Sequence, residues 1–283
     1  MYVSSARTDG RITPLLTSLQ DLYRHRALVG VLTTRELKAR YRGSVLGFFW
    51  SLLNPLLMLG VYTLVFQYVM PNRSASMRPY ALFLFTGLLP WNWLAASLTD
   101  ASGALPTHGS LLRKILFPAE VLPLVAVLAQ GVHFLLGLPI LLAGLVLAQF
   151  GFFEGTVTFG LPLLQVPLLL VIEGLFLLGL GFFLSALTVH FRDVRDLLTT
   201  AIPLWFFATP ILYSLKDLKP GRITGILKLN PVAPLFAGWH DALFFGRWIS
   251  PAHWGLMTLI AVVTFVVGFA FFDRLRDSFA EAV

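Results

Sequence analysis

Residues 121 to 149, "VLPLVAVLAQGVHFLLGLPILLAGLVLAQ", contain no Asp, Glu, Lys or Arg. Crossing the hydrocarbon of a bilayer takes about 20 residues of helix, and a run this long and uncharged has few other places to go. Lipid offers the backbone no hydrogen-bond partners, so the run must be helical. Five further stretches share the character: 46–70, 80–98, 160–189, 197–214 and 254–272. The pattern predicts an all-α polytopic membrane protein with six transmembrane helices. Composition agrees, because 57% of the 283 residues are hydrophobic and only 12% are charged, whereas a soluble domain carries about 25%. The net charge of +7 would suit nucleic acid in a polar chain. Here the basic residues read as topology signals and lipid headgroup contacts, and no nucleic-acid partner is expected. The absence of cysteine excludes disulfides, thiol catalysis and cysteine metal sites together. The first 45 residues hold no apolar core of signal-peptide type, so no cleavage is expected there.

Six spans put both termini on one side. Of the 21 Lys and Arg, 14 fall on that side and 7 on the other. The positive-inside rule therefore predicts a cytoplasmic N-terminal segment (1–45), a membrane domain (46–272) and a cytoplasmic tail (273–283).

The stretch "RELKARYRGSVLGFFWSLLNPLLM", 35–58, presses Arg35, Lys38, Arg40 and Arg42 against an apolar run. At 100° per residue, Arg35, Lys38 and Arg42 share one stripe of a helix, and Leu37 and Tyr41 share the opposite one. Such a helix lies along the interface. It is either a basic anchor on anionic lipid or a contact for a cytosolic partner subunit. The Asn54-Pro55 pair predicts a kink in the first span, functional or simply a packing feature. The loop "DASGALPTHGSLLRKILFPAEVLPL" opens with Gly and Pro, offers Ser110 as a cap, runs helical for about two turns and stops before Pro118. Its apolar Leu111, Leu112, Ile115 and Phe117 either bury in the membrane surface or dock into a groove on another protein.

No G-x-x-x-x-G-K-[ST] loop is present to cradle phosphates, so the chain is not expected to hydrolyse ATP. Well inside the spans only Glu173 and His133 are ionisable, with Asp100 and Glu120 near span ends. An ion-coupled secondary transporter would need such groups, yet Glu173 reads equally as a neutral carboxyl or one paired at a helix or dimer contact. A membrane glycosyltransferase would want clustered acids and histidines, and the near pairs are His190 with Asp193 and His240 with Asp241, each in a turn. No catalytic residue, metal site or cofactor of its own is expected.

Taken in order, "RYRGSVLGFFWSLLNPLLMLGVYTLVF", "LFTGLLPWNWLAASL", "LLRKILFPAEVLPL", "LSALTVHFRDVRDLL", "WFFATPILYSL" and "LNPVAPLFAGWHDALF" resemble the permease subunit of ATP-binding cassette exporters of the second type. The O-antigen and teichoic acid export branch is nearest, with capsule exporters related. The resemblance implies a homodimer in the bacterial inner membrane, bound to two copies of a separate nucleotide-binding subunit that holds ATP and magnesium. The cargo it implies is lipid-linked polysaccharide, O-antigen first, with capsule or teichoic acid as the alternative. Residues 27–44 would be the gate helix, with Arg35, Lys38, Tyr41 and Arg42. The coupling helix would be 110–117, with Leu111, Leu112, Arg113, Lys114 and Phe117 meeting the ATPase. The turn 190–196, with Arg192, Asp193 and Arg195, would be a second cytoplasmic contact. Residues 215–253 would form re-entrant helices on the outer side, and their sequence is independently apolar enough to bury but too broken by Pro, Gly and charge to span. The resemblance also sets the first and fifth spans around a pore. Leu52, Pro55, Leu59, Tyr62 and Phe66 share one face, as do Trp205, Thr209, Leu212 and Tyr213. Flat rings suit the C–H faces of sugars, which makes Tyr62, Phe66, Trp205, Thr209 and Tyr213 the expected channel residues and Phe176 a lipid-facing contrast.

Overall fold

The computed structural model describes residues 24–40, 42–69, 75–109, 117–153, 157–158, 160–215, 217–218 and 221–279. Among these there is no strand. The helices are α1 (Arg26–Arg40), α2 (Trp50–Thr63), α3 (Tyr80–Thr107), α4 (Val121–Gln149), α5 (Val166–His190), α6 (Asp193–Ala208), α7 (Arg222–Lys228), α8 (Ala233–Trp239) and α9 (Pro251–Leu275). Four helical stretches are long and apolar enough to cross a membrane: Tyr80–Thr107, Val121–Gln149, Leu161–His190 and Pro251–Ser278. A fifth apolar helix, Trp50–Phe66, is shorter.

Two boundaries differ from those read in the sequence, for opposite reasons. Gly103 and Pro106 were expected to open a loop, but α3 continues through both to Thr107. Ala101, Ala104 and Leu105 on that extension are buried, and their packing outweighs local propensity. By contrast α6, expected over 197–214, begins at Asp193 and stops after 16 residues. Pro210 disfavours helix at the residue before it, and Thr209 is extended at φ −101°, ψ 138°.

Helix α3 is the axis of the bundle, with 83% of its most apolar stretch buried against 28% for that of α9. A helix apolar all round belongs inside, and Phe83, Phe85, Leu94 and Leu98 fill the space around it. Helix α9 lies against α5 backbone to backbone. A Cβ on Gly268 would sit 1.9 Å from the Gly179 carbonyl oxygen, so the crossing needs glycine there. Small residues allow this approach where no hydrophobic force drives helices together in lipid. Phe182 then closes the crossing edge-on to Phe269 at 5.3 Å and Phe272 at 5.2 Å. At Gly246, with φ +56°, a Cβ would meet the Thr158 carbonyl oxygen at 2.1 Å.

The helix ends sort into two sets. At one end Arg276 reaches Glu120 at 3.3 Å and Ser278 Oγ lies 3.1 Å from His190 Nε2, gathering the start of α4 and the ends of α5 and α9. Helix α1 joins the same end, with Val29 packed on Val121 and Val125. At the other end the Tyr80 hydroxyl donates to the Leu212 carbonyl at 2.8 Å, and Ser76 donates to Asp217 at 2.6 Å.

Candidate functional site

The broken stretch after α6 is held at depth by polar groups from the long helices. Trp239, at the end of α8, donates its indole N–H to Glu173 Oε2 at 2.8 Å. Glu173 is completely buried on α5, and its other oxygen has no hydrogen-bond partner. Next along the chain the His240 ring stacks on Phe83 with centroids 4.1 Å apart, and its Nε2 lies 3.2 Å from the Phe83 carbonyl oxygen. Glu173 and His240 thus pin the broken segment to α5 and α3. At the mouth of the segment Gln165 donates to the Arg247 carbonyl at 3.0 Å and accepts from the Ile249 N–H at 2.8 Å. Among the described residues no three His, Asp or Glu side chains gather as metal ligands do.

A second polar node, Asn230, fixes the end of α6. Its Oδ1 accepts from the Trp205 indole at 2.9 Å and from the Val232 N–H at 3.2 Å. Its amide nitrogen donates to the Ala208 carbonyl and to Thr209 Oγ1, each at 3.0 Å. A helix that stops at a proline leaves carbonyls unpaired, and Asn230 takes one of them.

The structure separates the expected channel residues. Tyr62, Phe66, Trp205 and Tyr213 are half-buried, and Phe66 sits edge-on to Tyr80 at 4.8 Å. Trp205 is edge-on to Trp91 at 6.1 Å. The Tyr213 hydroxyl reaches the Phe207 carbonyl at 3.2 Å. Thr209 differs: it is fully buried, its hydroxyl donates to the Trp205 carbonyl at 2.7 Å, and it stabilises the bend instead of lining a surface. Leu59, on the same expected face of α2, is also core, while Leu56, Leu57 and Val61 are the open residues. Phe176 is only 4% exposed, which corrects its reading as lipid-facing; on α5 the exposed apolar residues include Leu168 and Val171. Spacing of three and four identifies a face but does not say which neighbour the face meets.

At the end that carries the tail, Arg35, Lys38 and Arg42 are exposed along an open groove shared with Gly30, Val31 and Thr34. Leu28, Val29 and Leu32 seat α1 on α4. Arg40, no part of the expected gate-helix set, is fastened to the bundle. Its Nη1 donates to Gln130 Oε1 at 3.0 Å and its Nη2 lies 3.5 Å from Asp100, while Gln130 also donates to Asp100. The available signal was Asp100, the one charged side chain on α3, and Gln130 on the uncharged α4. Tyr41, Leu111, Leu112, Arg113 and Lys114 lie outside the described residues. Phe117 is described and packs, partly buried, against the apolar cluster of its own chain that includes Ala104, Leu105 and Leu122. Arg192, Asp193 and Arg195 are exposed on the α5–α6 turn, with the Arg195 guanidinium lying over Gly103. Asp193 and Asp196 in the first turn of α6 suit the positive end of its dipole.

Four apolar helices of crossing length, packed around a central one, define a multi-pass membrane protein. The chain matches the ABC-2 type transporter family over residues 27–244 and belongs to it. It is 35% identical over 273 residues to the O-antigen export system permease protein RfbA of Myxococcus xanthus, covering 95% of this chain and 100% of that one. It is 33% identical over 254 residues to a Klebsiella pneumoniae protein of the same name, covering 90% and 94%. The polysialic acid transport protein KpsM of Escherichia coli is 24% identical over 263 residues, covering 88% and 93%.

Proposed function

We propose that the chain is the transmembrane permease of an ATP-driven exporter that moves lipid-linked polysaccharide across the bacterial inner membrane. The observation that carries this reading is end-to-end similarity, at 35% identity, to a relative named for O-antigen export. The weaker 24% similarity to a polysialic acid transporter favours O-antigen over capsule as the cargo. ATP and magnesium belong to a separate nucleotide-binding subunit, present in two copies on a homodimer of permeases.

The permease crosses the membrane six times with both termini in the cytoplasm, and residues 215–253 re-enter from the outer side. In support, the chain runs from Arg195 beside Gly103 at the tail end to Leu212 beside Tyr80 at the opposite end. The short α6 and its extended continuation together cover that distance. When ATP draws the two cytosolic subunits together, the 110–117 loop, the 190–196 turn and α1 pass the movement on as a rigid-body shift. Arg40 ties α1 to α3 and α4, so the gate helix cannot move alone. Removal of the gene tests the reading: lipid-linked glycan should accumulate on the cytoplasmic side, detected by extraction and mass spectrometry. Unchanged glycan pools together with normal surface polysaccharide would reject it.

The path of the sugar runs between α2 and α6, along Tyr62, Phe66, Trp205 and Tyr213. A long, weakly charged chain is best carried over ring faces, each contact contributing on the order of 1 kcal/mol. Replacing Tyr62 and Trp205 together by Ala is expected to reduce surface polysaccharide about tenfold, the equivalent of about 1.4 kcal/mol, with complex assembly intact. Leu168→Ala, on an exposed part of α5, should change little. Normal export by the double variant, or loss only through failure to accumulate, would move the path to other faces.

A further inference from the structure

The residues that follow α9 touch Glu120, just beyond the 110–117 loop, and His190, the first residue of the 190–196 turn. Arg276–Ser278 form one short 3-10 turn, and Phe279 follows it, 1% exposed. Toward α4, Arg276 Nη1 lies 3.3 Å from Glu120 Oε1. Glu120 is itself only 2% exposed, its second oxygen has no hydrogen-bond partner, and Arg276 is its counter-charge among the described residues. Phe279 packs edge-on to Phe272 at 5.0 Å, in the same apolar cluster as Phe117, Ala119 and Leu122. Toward α5, Ser278 Oγ lies 3.1 Å from His190 Nε2, and the His190 ring meets Phe279 edge-on at 6.4 Å. Phe117 to Glu120 lead out of the 110–117 loop, and His190 opens the 190–196 turn. One turn of chain is therefore bonded both to the start of α4, where that loop ends, and to the end of α5. Terminal segments are generally loose unless something ties them down, and a near-buried carboxylate that depends on a distant residue for its charge partner is strongly sensitive to losing it.

We propose that Arg276–Phe279 is a strut that fixes the start of α4 relative to the 190–196 turn, so that a displacement delivered at either is carried to α4 and α5 together. Arg276 and Phe279 are then positioning residues of the transport cycle that touch no cargo. The proposal rests on the exporter reading, and the experiment separates the two. The permease is reconstituted with its nucleotide-binding subunit in vesicles loaded with lipid-linked glycan. Complex formation, ATP hydrolysis and glycan translocated per ATP are measured for wild type, Arg276→Glu, Glu120→Arg, the double charge exchange and Ser278→Ala.

The Arg276→Glu protein should assemble and hydrolyse ATP within about twofold of wild type, while glycan moved per ATP falls about tenfold, within the range usual for coupled sites. The double exchange should recover about half or more of the ratio, which general damage to packing would not allow. Ser278→Ala should lower the ratio about twofold and carries the test if a charge-reversed chain does not accumulate. An unchanged ratio in Arg276→Glu, a loss the double exchange does not recover, or an unchanged ratio in Ser278→Ala when that variant carries the test overturns the strut. If wild type neither hydrolyses ATP with its partner nor moves glycan, the exporter reading falls instead.

Discussion

Gly268→Val is expected to abolish the folded permease: membrane abundance should collapse, and whatever is extracted should elute as aggregate and melt without a cooperative transition. The site has no room to yield. Overpacking a core typically costs about 1–3 kcal/mol because flexible side chains can still shift, but here the first added carbon would meet the Gly179 carbonyl oxygen at 1.9 Å. Only separation of α5 from α9 relieves that contact, and separation also pulls Phe182 away from Phe269 and Phe272. Gly255 on the same helix is the control, since nothing lies within 4 Å of its Cβ position. Gly255→Ala should melt at the wild-type temperature or slightly above, because alanine improves a helix interior by roughly 0.5–1 kcal/mol. A wild-type melting profile for Gly268→Val would mean that the two helices do not cross at these glycines.

Purified alone, the permease is expected to turn over no ATP above a lipid background, and hydrolysis on the order of 1 per second should appear once the nucleotide-binding subunit is added. Phosphoryl transfer needs backbone N–H groups and a lysine around the phosphates, with magnesium between them, and the chain contains no phosphate-loop sequence to supply them. Leu112→Asp should then abolish the stimulation while the permease remains in the membrane, because a charge pressed into an apolar groove costs several kcal/mol. Phe117→Asp would be a poorer probe, since Phe117 packs within its own chain and the charge would damage the permease itself. Turnover by the isolated, contaminant-free chain would remove the need for a partner.

Much of the scaffold was legible because a membrane solvent makes long uncharged runs nearly unambiguous: α4 spans the expected 121–149, and the helical stretch Leu161–His190 that contains α5 matches 160–189 to within a residue. Ends set by packing were not legible. Gly103 and Pro106 read as a loop until the buried alanines beside them are seen to extend α3. The candidate site was legible as residue types but less so as directions. Aromatic spacing on α2 and α6 grouped Tyr62 and Trp205, which are half-buried, with Leu59 and Thr209, which face the core. Glu173 was legible as an ionisable group inside a span, but nothing local reveals that Trp239, 66 residues away, donates to it. Arg40 was one cation among several, and nothing local reveals that Asp100 and Gln130 converge on it.

The near-complete enclosure of α3 bears on what can move. A close-packed interior resists sliding, and rearrangement concentrates where packing is interrupted. Helices α4, α5 and the inserted segment all lean on α3, through Trp93, Phe134, Phe83 and His240 among others. A cargo passing through cannot part these elements without dismantling the centre. The permease is thus better pictured as a door leaf than as a folding screen: the packed body moves as a whole.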